Sequence, residues 1–485
     1  MVRDRENRQV LQMRSVIFVW LLALVAGGCS HEDSIVEPPA TPPLPQGVTV
    51  VDNVVHWSTE LSSRGSVRYG FAADALDHMA YPAAADRRDR ELLTEHAVAL
   101  LDVRAGQLVF LQTVNEASGH PTGYSEVGAF DPAVTPAADL LTATMIHIGF
   151  GDSHLITLPN GKRVLIDGGE RAAAASVSQY LDQHGVGTLD AMLATHVHID
   201  HMGGLVGDFG NPTDGLLARR PSVFFDSPAK SWSRGAYDEA LATVVGAGAR
   251  RVVLSRGQTS ASAPDLAWDS RVQVVVLSSG RLPNYTPSAA RENDDINNDS
   301  VVLRWSYGDV DFIIGGDAEA AAEASMLQAF PASELEVEYY KAHHHGLPDA
   351  STSAWVQALQ PRVAFIPNTQ LTFDGNLTSA LARATADLTD LGAHIYAIDD
   401  AASLGRLRGS GIQYNITFAT DGTSYEVRLE RATQGVALVA KASCVHDDPD
   451  LRHLFETPDL APTHDRWLEK PGGTMAAYLK GWAVP

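Results

Sequence analysis

Residues 194–204, ATHVHIDHMGG, constrain this chain more than any other stretch. They continue the apolar run DAMLAT, which predicts a buried strand, so His196 and His198 lie where that strand breaks into a loop. Two residues apart in extended chain, their imidazoles project to the same side. Asp200 and His201 follow as the chain turns, and two glycines after them permit close backbone approach. This spacing predicts a metal site at the strand end.

The donor types indicate which ions this loop would hold. One ion can take the first two imidazoles, and a second can take the carboxylate and the third imidazole. Imidazole together with carboxylate suits zinc, with manganese or iron as alternatives. A polar loop formed by coincidence is the competing interpretation. The ligand loop alone does not complete a metal site, so later segments must supply further ligands.

Two later segments offer those ligands. In DFIIGGDAE, Asp317 follows an apolar strand, where a carboxylate can bridge two metals or simply cap a helix. In YYKAHHHGLPDA, His343, His344 and His345 stand at another predicted strand end before Gly346. A solvated histidine run is the alternative for this triplet.

Composition limits the class of protein. The 485 residues suffice for two or three domains, and 45% hydrophobic with 20% charged residues is ordinary for a globular protein. The formal net charge of -23 repels phosphate backbones at long range and disfavours nonspecific nucleic-acid binding. There are two cysteines, Cys29 and Cys444, and the second has no metal-spaced partner. We expect Cys444 to be an inert thiol.

The first residues predict a processing signal. Four arginines precede SVIFVWLLALVAGG, an apolar run too short for a membrane span and suited to a signal peptide over residues 1–28. VAGGCS resembles the lipobox of bacterial lipoproteins, in which Cys29 would carry the lipid; an ordinary secretory signal is the alternative. Ser30 resembles the pattern that directs such proteins to the outer membrane. We therefore expect a secreted chain, anchored at the outer membrane or cell surface.

The remaining chain divides into four regions by pattern. Residues 29–47 are rich in proline and predict a semi-rigid linker. Residues 48–132 alternate short strands with turns, which predicts a small all-β sandwich similar to a fibronectin type III module, although its expected tyrosine is Val109. Residues 140–430 alternate strands and helices and predict an α/β domain. Residues 431–485 form a C-terminal extension of unknown role.

Four motifs in order give the α/β region a family resemblance. IHIGFGDSHLITLPNGKRVLIDGGE, THVHIDHMGG, NNDSVVLRWSYGDVDFIIGGDAE and KAHHHG resemble the metallo-β-lactamase fold over residues 142–425. The most similar subgroup is the hydrolase domain of ComEC/Rec2-type competence proteins. The resemblance implies an αββα sandwich, in which helices flank two sheets and the metals sit at one edge between the sheets.

The same resemblance implies a ligand set. It assigns the loop donors to two ions: His196 and His198 to metal one, Asp200 and His201 to metal two. Asp317 would bridge the ions, and His344 would complete metal two, with His345 as the alternative. Asp167 resembles the family's structural aspartate, which props the ligand loop.

Metal one departs from the pattern of many relatives, which carry a further histidine between the ligand loop and the bridging aspartate. Residues 202–342 contain none. Metal one would then have two imidazoles, the bridge and solvent, unless a residue within 294–299 contributes. A site that works with one tightly bound metal is the alternative.

The ligand set implies a metal-dependent hydrolase. Two divalent ions lower the pKa of a bridging water, and the hydroxide attacks phosphorus or carbon. Asp200 would orient that hydroxide and pass a proton to the leaving group. Lys341, or Lys162 and Arg163, would contact a phosphate or lie on the surface as solvated charges.

Three functions are compatible with the sequence. The first is hydrolysis of phosphodiester bonds, nuclease-like or phosphodiesterase-like, since the resembled subgroup acts on nucleic acid. The negative charge favours a small-molecule or nucleotide-type phosphodiester over polymeric nucleic acid. A lactone or amide hydrolase of the same fold is the second, and a cell-surface binding protein with a structural metal is the third. No feature of the sequence indicates a protein partner.

Overall fold

The computed structural model describes most of the chain between residues 40 and 432. The described stretches are 40–85, 89–132, 139–149, 151–207, 215–227, 242–283, 292–347, 349–367, 382–397 and 414–432. The predicted signal peptide, Cys29 and nearly all of the C-terminal extension lie outside the described residues and stay predictions. Within the described stretches, no helix combines the length and the apolar character needed to cross a membrane.

The first strands are organised around one long strand. Their bounds are β1 (Pro45–Val51), β2 (Val54–Gly70), β3 (His78–Tyr81), β4 (Leu93–Ala99), β5 (Val109–Glu116), β6 (Gly123–Tyr124) and β7 (Gly128–Phe130). The N-terminal part of β2 pairs with β1 and β4, whereas its C-terminal part pairs with β3 and β5. Trp57 and Val67, one from each part, are buried in the same hydrophobic cluster.

The following segments bring in the predicted ligand loop. Their bounds are β8 (Leu141–Met145), β9 (His154–Thr157), β10 (Arg163–Ile166), α1 (Ala174–Gln183), β11 (Ala191–Leu193), α2 (Ile199–Val206), β12 (Val223–Asp226) and β13 (Arg250–Val253). Strands β10 to β13 are parallel neighbours, and β8, β9 and β10 pair antiparallel.

The rest of the described chain builds a second sheet and returns to the first. Its bounds are β14 (Val272–Ser278), α3 (Glu292–Asn298), β15 (Val302–Tyr307), β16 (Val310–Gly315), α4 (Ala320–Ala329), β17 (Tyr339–Lys341), α5 (Ser353–Leu359), β18 (Val363–Ile366), α6 (Ala382–Asp390), β19 (His394–Ala397), β20 (Tyr414–Thr420) and β21 (Tyr425–Arg431). Strands β14 to β19 form the second sheet in chain order, antiparallel up to β16 and parallel after it.

The large sheet continues across the boundary expected between the β-sandwich and the α/β region. Its order is β13-β12-β11-β10-β9-β8-β20-β21-β3-β2-β5-β6. The link is made by β3 and β21, which pair antiparallel with Tyr81 opposite Tyr425. The assignment of residues 48–132 to a fibronectin type III-like module is not tested by this pairing and stays a prediction.

Alternate residues of the strands enter different cores, as the period of two in a β-strand requires. In β10, Val164 and Ile166 join a cluster that contains residues of both sheets, whereas Leu165 packs with residues of α1 and α2. In β16, Phe312 faces the cluster shared by the two sheets, and Ile313 packs with residues of α4 and α5. The mixed α/β class predicted from the sequence is confirmed.

His78, the first residue of β3, is buried and pairs with two partly exposed carboxylates. His78 Nδ1 lies 2.7 Å from Asp77 Oδ1, and its Nε2 lies 3.3 Å from Asp102 Oδ2. Burial lowers the pKa of His78, but the hydrogen bonds with Asp102 and Asp77 outweigh it and raise the pKa from 6.5 to about 9. His78 is therefore a cation in the folded chain at neutral pH and donates from both ring nitrogens.

We expect His78 to make stability depend on pH. Its folded pKa of about 9 lies above the unfolded value of 6.5, so its contribution is complete below pH 6.5 and is lost as pH rises through 9. The loss is at most about 3–4 kcal/mol, because each pKa unit corresponds to about 1.4 kcal/mol. Urea unfolding at pH 6 and pH 9.5 measures it. His78→Gln should lose less stability between the two pH values than the unaltered chain, and equal losses in both would contradict the assignment.

Candidate metal centre

Three chain segments meet at one edge of the two sheets. The ligand loop follows β11, Asp317 follows β16, and His343–Gly346 form a short 3-10 turn after β17. The carboxyl ends of parallel strands lie at the same edge of a sheet, which explains why segments after β16 and β17 converge. Gly316 permits the two sheets to approach there, since a Cβ atom on it would lie 2.3 Å from Thr195 Oγ1.

One carboxylate oxygen is the focus of the cluster. Asp317 Oδ2 lies 3.1 Å from Nε2 of His201, 3.3 Å from Nε2 of His345 and 3.7 Å from Nε2 of His344. The fourth imidazole, of His196, places its Nε2 4.0 Å away. All five side chains are at most 2% exposed.

A first group of donors is already close enough to share one ion. One ligand atom each from Asp200, His201, Asp317 and His345 lies within 4.8 Å of the others. His345 Nε2 is 3.2 Å from Asp200 Oδ2. Four such donors match the coordination number of zinc in proteins. The histidine in this group is His345, named above as the alternative, and His344 is outside it.

His196 and His198 form the second part of the cluster. His196 Nε2 lies 3.0 Å from His198 Nδ1, so the two rings face each other as their spacing in extended chain predicts. His196 Nδ1 lies 3.2 Å from Thr195 Oγ1. The structure thus brings every predicted ligand to one edge, with His198 next to His196 and the others around Asp317.

Separate carboxylates orient the imidazoles that face Asp317. Each pairs with a ring Nδ1 and leaves Nε2 toward the cluster: Asp167 with His201 at 2.9 Å, Asp152 with His345 at 3.2 Å, and Asp349 with His344 at 2.8 Å. Carboxylates in this position fix the ring and the tautomer of metal-binding histidines. The first of these carboxylates, Asp167, was predicted from the sequence, and the other two were not.

Asp167 also holds the start of the ligand loop. Its Oδ1 accepts a hydrogen bond from the Thr195 amide at 2.8 Å, and its Oδ2 accepts one from Thr195 Oγ1 at 2.7 Å. Its backbone φ is 59°, in the left-handed region, where a non-glycine residue is strained. The supporting role predicted for Asp167 is confirmed.

Burial and opposite charge act against each other in the cluster. Burial lowers the pKa of His201, but Asp317, Asp200 and Asp167 outweigh it and hold that pKa well above its usual value. Burial raises the pKa of Asp317, but His201, His345 and His344 outweigh it and hold that pKa well below its usual value. The cluster is therefore held by ion pairs that a divalent cation can replace, with release of protons.

The carboxylate of Asp317 indicates whether a divalent cation fits the cluster. Asp317 is fully buried, and neither of its carboxylate oxygens accepts a hydrogen bond of normal geometry from the described residues. Leaving a buried carboxylate oxygen without a donor is unfavourable. A cation bound by Asp317 and its imidazole neighbours would remove that penalty, so the residues present fit a divalent metal.

His343 and Lys341 have structural surroundings. His343 Nδ1 lies 3.0 Å from Glu323 Oε1, and the Glu323 carboxylate also accepts hydrogen bonds from the Ser351 and Thr352 amides. Lys341 is fully buried, donates to a backbone carbonyl at 3.1 Å and pairs with the cluster carboxylate Asp152. The alternative that Lys341 lies on the surface as a solvated charge is therefore wrong, and its contact with a phosphate stays a prediction.

Known proteins match parts of this chain in sequence. The model of the Metallo-beta-lactamase superfamily matches residues 148–207, which include the ligand loop. ComE operon protein 3 of Bacillus subtilis (strain 168) is 27% identical over 239 residues, which cover 46% of this chain and 27% of that protein. The chain thus spans well under two thirds of that relative's length.

Among solved structures, purple acid phosphatase PPD1 from yellow lupin (Lupinus luteus) seeds is 10% identical, with a TM-score of 0.23. The match covers 81% of this chain and 73% of the phosphatase chain. A TM-score this low carries no argument about fold. The sequence matches and the buried cluster together support a metal-dependent hydrolase with a metallo-β-lactamase domain, similar over part of its length to ComE operon protein 3.

Proposed function

We propose that this chain hydrolyses phosphodiester bonds with a metal-activated water, in an αββα sandwich of the metallo-β-lactamase type. The observation that carries the proposal is the convergence of four imidazoles on the buried carboxylate of Asp317. The preference for phosphodiesters is supported by the resemblance to the hydrolase domain of ComEC/Rec2-type competence proteins.

The proposed ligand set differs from the sequence assignment at one position. Asp200, His201 and His345 would hold metal two, since their donor atoms lie within 4.8 Å of one another and of Asp317. Asp317 would be shared with metal one, which the facing imidazoles of His196 and His198 would hold. Zinc suits this mixture of nitrogen and oxygen donors, with manganese or iron as alternatives.

Two divalent ions held in this way would lower the pKa of a water molecule and neutralise charge on the transition-state oxygens. The chain's own contribution to proton transfer is Asp200. Its carboxylate accepts a proton from the attacking water as the new P–O bond forms. It then donates that proton to the leaving oxygen as the old P–O bond breaks. Asp167 and Asp152 keep the surrounding rings in place during the reaction.

The size and location of the substrate are part of the proposal. The net charge of -23 opposes approach of a long polyanion, which favours a small or nucleotide-type phosphodiester. The signal-like N-terminus and Cys29 support action at the outer membrane or cell surface of a bacterium, where lipid on Cys29 would anchor the chain.

Hydrolysis of bis(p-nitrophenyl) phosphate by the purified full chain tests this function. We expect turnover with added zinc or manganese and its loss on chelation. Turnover of a lactone or a β-lactam without phosphodiester cleavage would replace the proposal with the lactone or amide hydrolase. Bound metal without hydrolysis of any of these substrates would favour the cell-surface binding protein with a structural metal.

A further inference from the structure

We infer that His344 supplies the third imidazole of metal one, so that the adjacent histidines His344 and His345 serve different ions. The inference rests on the proposed two-metal centre. It names a replacement for the metal-one histidine that many relatives have and this chain lacks. It replaces the expectation that a single member of the triple histidine acts as a ligand.

The number of ligands available to each ion supports this assignment of His344. A four-coordinate ion at Asp200, His201, Asp317 and His345 has a full protein ligand set. The second ion would then have the imidazoles of His196 and His198 and the shared Asp317, one imidazole fewer than in many relatives. The chain has no histidine between residues 202 and 342 to complete it.

The orientation of the ring gives the second argument. His344 is fully buried, and its Nδ1 is held by Asp349 at 2.8 Å, with Glu319 Oε1 at 3.7 Å. With Nδ1 held by Asp349, Nε2 is the nitrogen nearer Asp317 Oδ2, at 3.7 Å, and it would bind an ion once its proton is released. This is the arrangement found for metal-binding histidines, and it matches that of His345 with its own carboxylate.

The backbone gives the third argument. His344 and His345 both have positive φ, 47° and 55°, which is strained for residues other than glycine. His343, which pairs with Glu323 instead of facing Asp317, is not among the positive-φ residues of the described chain. The strained backbone thus coincides with the two rings that face the cluster, which is where a function would maintain it.

Asn297, from the segment 294–299 named above as an alternative source of a ligand, lies beside the His344 ring. Asn297 Nδ2 lies 3.5 Å from His344 Nε2 and donates to Glu319 Oε1 at 2.9 Å. The Asn297 amide nitrogen is a hydrogen-bond donor and is not a metal ligand, whereas its Oδ1 is buried and accepts no hydrogen bond from the described residues. Through its nitrogen, Asn297 holds Glu319 beside the His344 ring.

Counting bound zinc per purified full chain tests the inference without reference to turnover. We expect two ions in the unaltered chain, one in His344→Asn, one in His345→Asn and none in the double variant. Asparagine tolerates the left-handed backbone, and its shorter side chain does not reach the ion. His343→Gln is the matched control from the same triplet and should keep two ions.

Each result decides between the arrangements. Two ions in His344→Asn, or one in the double variant, would overturn the inference, because His344 would then be no ligand or would share metal two with His345. Fewer than two ions in the unaltered chain would overturn it as well.

If the double variant does not fold, zinc titration of Asp349→Asn takes the place of its zinc count. One of the two binding steps should weaken about 10- to 100-fold, and two unchanged steps would count against the inference. If the variants lose zinc as expected but the unaltered chain hydrolyses no phosphodiester, the ligand assignment is supported and only the proposed function is removed.

Discussion

Asp317→Asn should reduce phosphodiester hydrolysis at least about 10³-fold, equivalent to about 4 kcal/mol of transition-state stabilisation. Asp317 is the carboxylate on which His196, His201, His344 and His345 converge, and in the proposed centre it is the ligand common to both ions. Asparagine keeps the volume and removes the charge, so it weakens both sites at once. Initial rates at saturating zinc, together with zinc content, measure the effect.

A surface aspartate provides the matched control for this substitution. Asp265 pairs with Arg250 away from the cluster, and both side chains are at least 38% exposed. Asp265→Asn should therefore keep full activity and zinc content. If Asp317→Asn retained more than about a tenth of the rate with normal zinc content, a bridging role for Asp317 would be untenable.

The local parts of the site were predictable from the sequence because neighbouring residues determine them. The ligand loop places its donors within six positions at a strand end, and that spacing fixes which imidazoles face each other. The helix α4 was predictable for a similar reason, since its alanine-rich segment ends before Pro331. In each case the contacts lie within a few residues along the chain.

The choice among His343, His344 and His345 was not predictable in the same way. The three residues are adjacent and chemically identical, so only the backbone decides which rings face Asp317. That backbone takes the left-handed conformation at His344 and His345, for which histidine has no strong intrinsic preference. The carboxylates that select the rings, Asp152 and Asp349, come from different loops.

The connection of the large sheet across the predicted domain boundary depends on distant pairing as well. The sequence predicts short strands in this region, whereas β2 is one strand of 17 residues whose two parts have different partners. β3 pairs with β21, which lies near the end of the described chain. Alternation reports which residues of a strand are buried but carries no information about the partner strand.

Lys341→Met should give the largest loss of stability among single substitutions near the site, about 3–5 kcal/mol. Lys341 is fully buried and pairs with Asp152, which is itself 1% exposed. Burial raises the pKa of Asp152, but Lys341 and then His345 outweigh it, so this carboxylate is ionised in the folded chain. Methionine has a similar length without charge and leaves Asp152 buried without its lysine partner.

Urea unfolding with chelator present measures this loss, because bound metal would add stability to the folded state and mask it. Lys162→Met changes an exposed lysine and should stay within about 0.5 kcal/mol of the unaltered chain. Adding Asp152→Asn to Lys341→Met should recover part of the loss, since the uncompensated charge is then removed. A single Lys341→Met variant as stable as the Lys162→Met control would show that this ion pair does not support the centre. The same double variant would lack the carboxylate that orients His345, so its recovered stability should not be accompanied by recovered metal affinity.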